Sequence, residues 1–232
     1  YLNPGGGRLP WVSLAWPGLI GAYSAMNAEG VTVSMHDAAP LQPTHQGAFV
    51  PRSLALRNAM ETARAGTAID DVKRVLIKSP AMMGNNIHVS SPYNGQPNPA
   101  VVFEYDGNLE KHGGVTPRFS TATPAPNWLA CTNHYCIRKK APPAENHPFD
   151  STKRFGTISD AVAGVLKSGQ KIDLQRAEEI ISSVAQEGGV QTLQTVIYFP
   201  NRKEMHIGLA SPGRAASTAP LKVFALSALL TK

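Results

Sequence analysis

Hydrophobic positions along the chain fall into two periods that come in blocks. Over Trp16–Asp37 (WPGLIGAYSAMNAEGVTVSMHD) a small apolar run, Leu19–Ala25, leads through the turn Asn27-Ala-Glu-Gly30 into Val31, Val33 and Met35, which alternate with Thr32, Ser34 and His36. Period two predicts a strand with one buried face and one face of hydroxyl and imidazole groups. Asn and Gly both tolerate positive φ, so the turn predicts a hairpin. Its second strand ends on His36-Asp37 at the rim of a sheet. Trp11–Trp16 alternates large and small residues and predicts a strand feeding this hairpin.

After a proline-containing loop with His45, the period changes to that of a helix. Pro51 at a first helical position opens a helix to about Ala65, with Leu56, Ala59, Met60 and Ala63 as its apolar stripe. Thr67, with Asp70 three residues on, predicts a capping box for a second helix whose inner face is Val72, Val75 and Leu76. Strands are predicted over Asn86–Ser90 and Ala100–Tyr105, with Asp106-Gly107-Asn108 as a turn, and over Trp128–Tyr135 after the loop Gly113–Asn127. Asp150 and Asp173 are placed to cap two further helices, to about Lys167 and Gln186. Thr192–Phe199 and Glu204–Leu209 pair around Pro200–Lys203, and Val223–Leu230 ends the chain as a strand or a short helix. Grouped strands and grouped helices predict an α+β fold: two mainly antiparallel sheets face to face, with helix pairs outside. Neither an internal repeat nor a linker stands out, so residues 1–232 are expected to form a single domain.

Composition narrows the partners. The 232 residues carry 22 Lys and Arg against 16 Asp and Glu, a net charge of +6, and 42% hydrophobic residues. The excess charge is dispersed, with Arg138-Lys139-Lys140 the only basic run of three, so no nucleic-acid surface is expected. No run approaches the ~20 apolar residues of a membrane span. The sequence begins at Tyr1 and reads as a processed chain or a fragment. Its two cysteines, Cys131 and Cys136, are too few for a disulfide framework and leave the compartment undecided.

The candidate chemistry is polar and metal-free. The seven histidines form no HExxH or HxxxH, the cysteines lack zinc spacing, and Gly5-Gly-Gly7 lacks the context of a phosphate loop, so neither metal nor cofactor is expected. In Thr132-Asn133-His134, a strand-end Asn either donates its amide N–H to a developing oxyanion or satisfies its own loop. At spacing three on a strand, Cys131 and His134 face opposite ways, which makes Cys131 a structural thiol. Arg154, in Ser151-Thr-Lys-Arg154, either pairs with Asp150 or a loop or recognises a carboxylate.

Five stretches in this order resemble the peptidase C45 family, the enzymes like acyl-coenzyme A:6-aminopenicillanic acid acyltransferase. They are WPGLIGAYSAMNAEGVTVSMHDA, FVPRSLALRNAMETARAGTAIDDVKRVL, LACTNHYC, DSTKRFGTISDAV and TLQTVIYFPNRKEMHIGLASP. The resemblance implies an N-terminal-nucleophile hydrolase: a four-layer αββα sandwich whose catalytic Cys is freed by autoproteolysis and forms an acyl-enzyme. It implies Asn133 as the oxyanion-stabilising residue, and Trp16, His36, Asp37, His134 and Arg154 around a small amide or acyl substrate. The family's nucleophile falls upstream of residue 1, on a preceding segment or a separate chain. Two positions depart from the family: His36-Asp37 stands where a second polar contributor is expected, and Gly188-Gly189 where an Arg precedes the closing hairpin. The expected activity is hydrolysis or transfer of an N-acyl group. The competing expectation is a catalytically silent binding protein on the same scaffold.

Overall fold

The computed structural model describes residues 1–38, 47–106, 114–120, 128–138, 150–186 and 191–230. Six strands, β1 (Trp11–Leu14), β2 (Ser24–Asn27), β3 (Thr32–Asp37), β4 (Asn85–Ser90), β5 (Ala100–Tyr105) and β6 (Val115–Arg118), form one sheet in sequence order, every neighbouring pair antiparallel. A second sheet holds β7 (Gln194–Phe199), β8 (Glu204–Leu209) and β9 (Lys222–Ala225), also antiparallel. The helices are α1 (Arg52–Thr62), α2 (Ala68–Ile77), α3 (Ser151–Lys167), α4 (Leu174–Ser182) and the short α5 (Leu226–Leu230). None among the described residues is long and apolar enough to cross a membrane.

Alternation along the strands builds two cores. Ala25, Val33, Ile87, Val89, Val101 and Phe103 pack outward against Leu56, Ala59 and Met60 of α1 and Val72 and Leu76 of α2. On the opposite face Val12, Leu14 and Met26 meet Val196, Tyr198, Met205, Ile207 and Phe224 of the small sheet. The α3 helix packs on α4, and α4 on β7. The layers are therefore helix pair, large sheet, small sheet, helix pair. The two sheets meet at their hairpin turns, where Gly30 has φ +83° and an added Cβ would lie 2.5 Å from the Pro200 carbonyl oxygen. Only glycine fits there.

Asn27 explains how the first hairpin holds α1. Its buried amide donates to the carbonyls of Met60 (3.1 Å) and Ala63 (2.8 Å), which end α1, and its oxygen accepts from Glu29 and Val31 of the turn. One side chain satisfies two helix-terminal carbonyls and shapes the turn.

Several boundaries differ from the expectations. The apolar run before the hairpin is loop up to Tyr23, and α1 ends at Thr62 once Ala63 turns extended. Thr67 forms no capping box with Asp70: its hydroxyl donates to Asp71, which also accepts the Arg64 N–H. Asp150 is left-handed at φ 51° and does not cap α3 through its side chain, whereas Asp173 accepts from the Arg176 N–H and caps α4. Val115–Arg118, expected as loop, is a strand; its Pro117 is tolerated because β6 is a sheet edge. The end of the chain is both strand and helix, β9 then α5. His45, Gly107-Asn108 and Gly188-Gly189 lie outside the described residues.

Candidate active site

The largest departure from expectation carries the site. Residues 128–138 are not a strand but an irregular segment laid across the inner face of β4–β6. Its backbone groups find side chains instead of a ladder. Buried Arg118 donates to the Ala130 carbonyl (2.7 Å), and buried Asn86 donates to the carbonyls of Thr132 and His134 (2.8 Å each). The fully buried Glu104 carboxylate accepts the backbone N–H groups of Cys136 (2.6 Å), Ile137 (3.0 Å) and Arg138 (2.6 Å). Asn86 and Glu104 are cross-strand partners, and Glu104 also lies 3.4 Å from Arg118. A buried carboxylate is tolerated here because a cation and three N–H groups surround it.

At the crest of this segment sits Asn133, partly exposed. Its Oδ1 accepts from Arg154 (2.6 Å) and its Nδ2 donates to the Asp37 carbonyl (2.6 Å), while its backbone N–H donates to the Ser151 hydroxyl (2.7 Å). A guanidinium cannot accept a hydrogen bond, so Arg154 fixes which end of the amide is oxygen. One N–H of Nδ2 is held by Asp37; among the described residues the other has no hydrogen-bond partner. A preorganised amide N–H of this kind is what a developing oxyanion needs.

The groups around Asn133 come from α3, β3, α1, β4 and segment 128–138 itself. Ser151, buried in the first turn of α3, lies 2.8 Å from His134 Nδ1 and 2.9 Å from the Thr132 hydroxyl. The His134 ring meets Phe155 edge-on, 5.5 Å between centroids. Asp37 pairs through its carboxylate with Arg52 (2.5 Å), which also donates to Asn85 (2.7 Å). His36 is exposed at the end of β3, next to Asp37. Desolvation and then the Arg154 charge hold its imidazole below the usual range, against an upward pull from Asp37. Trp16 is exposed in the preceding loop, its ring edge-on to Tyr23 at 6.2 Å. Arg154 is pushed down from its ordinary value by desolvation. Burial raises the Cys131 thiol to about 12 and raises Cys136 as well, so neither is a thiolate at neutral pH.

Arg52, Asn86, Glu104 and Arg118 were not singled out by the sequence as site residues, and Ser151 stood out only within the motif that carries Arg154. For Asn86 the signal was present in the alternation of β4, which puts it on the same face as His88. No group of three His, Cys, Asp or Glu able to hold a metal occurs among the described residues.

His88 sets a pH dependence. Burial first, then the positive influence of His36 and Arg118, lowers its imidazole from 6.5 to about 4. The unfolded chain therefore binds a proton that the folded chain refuses. This contribution is complete above pH 6.5 and is lost as pH falls toward 4. The unfolding free energy of the wild type should fall more steeply across that window than that of His88→Asn. Equal slopes in urea titrations at several pH values would contradict this.

The layers and the segment carrying Asn133 define an αββα protein of the N-terminal-nucleophile hydrolase type. The model of the acyl-coenzyme A:6-aminopenicillanic acid acyl-transferase family matches residues 11–214, and the chain belongs to that family. Among solved structures, a variant of conjugated bile acid hydrolase from Clostridium perfringens matches with TM-score 0.58 and 11% identity, over 92% of this chain and 80% of that one. The Caenorhabditis elegans ortholog of N-acylethanolamine-hydrolyzing acid amidase matches with TM-score 0.51 and 13% identity, over 94% and 87%. No curated protein matches the sequence significantly. The family is named for an acyltransferase, and the two solved structures share the fold.

Proposed function

We propose that the complete protein hydrolyses the amide bond of a small N-acyl compound through a Cys thiolate that lies upstream of residue 1, and that residues 1–232 form one domain around that site. The observation carrying this is the Asn133 amide, oriented by Arg154 and Asp37 with one N–H left for a ligand oxygen. The thiolate attacks the substrate carbonyl, and the carbonyl oxygen takes up negative charge against Asn133. His36 and Arg154 line the cleft beside it, and Trp16 and His134 frame the approach. Collapse expels the amine, which takes a proton, and water then releases the acid from the acyl-enzyme. The α-amino group of an N-terminal Cys is the fitting base, since its ordinary pKa of ~8 is close to neutral.

The second reading is a catalytically silent binding protein on the same scaffold. N-terminal sequencing and intact mass of native material separate the two. A mature chain that starts with Cys supports the enzyme. Native protein without such a chain, whether in one piece or several, leaves the binding reading.

A further inference from the structure

We propose that Ser151 is a positioning residue of this site: its buried hydroxyl holds the Asn133 backbone in place and fixes a proton of His134 on Nδ1. The proposal rests on the functional reading above and assigns what keeps its oxyanion donor aligned.

The hydrogens can be placed because each hydroxyl has a single one to give. Thr132 Oγ1 lies 3.0 Å from the Ser151 carbonyl oxygen, which carries no hydrogen, so the Thr132 hydrogen points there. The Asn133 backbone N–H donates to Ser151 Oγ at 2.7 Å. The 2.9 Å contact between the two hydroxyls then takes the Ser151 hydrogen, donated to Thr132 Oγ1. Ser151 has no further hydrogen for its 2.8 Å contact with His134 Nδ1, so that one comes from the ring. Thr132 Oγ1, 3.2 Å from Nδ1, accepts from the same side. Ser151 Oγ therefore accepts twice, from Asn133 and from His134, and donates once.

Any other placement leaves two acceptors facing each other across one of these contacts with no hydrogen between them. Ser151 is fully buried and Thr132 only 2% exposed, so water does not relieve such a clash. The Nδ1 proton is present whether the ring is neutral or cationic.

The place of Ser151 in the fold links this network to the oxyanion donor. Ser151 and Arg154 lie three residues apart at the start of α3, on one face of the helix. Arg154 holds the Asn133 side-chain oxygen at 2.6 Å, and Ser151 holds the backbone N–H of the same residue. One helix end thus fixes Asn133 at both its backbone and its amide. Asn86 tethers the neighbouring carbonyls of Thr132 and His134, so segment 128–138 stays attached to β4 when Ser151 is changed. Among the described residues, Ser151 is the only acceptor of the Asn133 backbone N–H.

The test uses the complete protein. Nitrogen NMR of wild type with isotopically labelled histidine should show the His134 ring protonated on Nδ1, the signal being assigned by its loss in His134→Gln. A ring protonated on Nε2 alone overturns the proposal. Ser151→Ala should lower kcat ~10–10²-fold and leave KM within threefold, because a displaced donor is missed chiefly when the oxyanion forms. Its Asn133 backbone N–H should exchange with solvent at least tenfold faster than in wild type. A purely structural serine would change stability and leave kcat per folded molecule alone, so a kcat within threefold of wild type, or a rise in KM only, overturns the positioning role. Should Ser151→Ala not fold, Ser151→Cys, similar in size but a weak acceptor, is read by the same criteria. If wild type turns over no amide, the functional reading fails by itself, and two results still decide on Ser151. Nδ1 protonation together with faster Asn133 exchange in the variant supports the hold; the absence of either overturns it.

Discussion

Asn133→Ala in the complete protein should lower kcat by ~10²–10³-fold and leave KM within a few-fold of wild type. The expectation follows from when the interaction forms. A ground-state carbonyl is a modest acceptor, and the charge that Asn133 meets appears only as the tetrahedral intermediate forms, so the loss falls on kcat. Arg154 and Asp37 hold the amide in one orientation, so no reorganisation is required at the moment of reaction. Asn133→Asp should be at least as damaging, because a carboxylate has no N–H to give and adds negative charge beside the developing oxyanion. Steady-state kinetics on one N-acyl substrate reads both variants. Activity within threefold of wild type in Asn133→Ala would remove the oxyanion role.

Glu104→Ala should cost the fold about 3–5 kcal/mol, the range for removing one partner of a buried ion pair. Its carboxylate is fully buried against Arg118 and accepts three consecutive backbone N–H groups of the segment that carries Asn133. Removing it leaves a buried guanidinium beside three unpaired donors, and each of those donors adds a desolvation penalty. Glu104→Gln keeps one accepting oxygen and should lose markedly less. Urea unfolding of the chain distinguishes the two. A loss below ~1 kcal/mol in Glu104→Ala would mean that segment 128–138 finds other partners.

Much of the scaffold is legible in the sequence because it rests on local periodicity. The alternation of Val31, Val33 and Met35 marks the buried face of β3, and the helical spacing of Leu56, Ala59 and Met60 marks that of α1. The stacking of two antiparallel sheets between helix pairs follows from the grouping of those periods. What stays hidden depends on pairing at a distance. Trp128–Tyr135 has the composition of a strand, yet its backbone bonds to Asn86 and Arg118, and the next residues bond to Glu104, all side chains between 12 and 48 positions away in sequence. No local pattern announces such partners. Thr67 likewise bonds to Asp71 and not to the expected Asp70, because Asp71 also reaches the Arg64 N–H. The site divides in the same way. Asn133 and Arg154 are individually visible, but that they touch, and that Arg52 closes the far side of Asp37, depends on the tertiary fold.

The central claim is that an acyl group passes through a thiolate outside residues 1–232 while Asn133 holds the oxyanion. Intact-mass spectrometry of the native complete protein, quenched in acid during turnover of an N-acyl substrate, tests it most directly. The account predicts an adduct of the acyl mass, mapped by peptide digestion to an N-terminal Cys upstream of Tyr1. No adduct under turnover, or an adduct on Cys131 or Cys136, would contradict it.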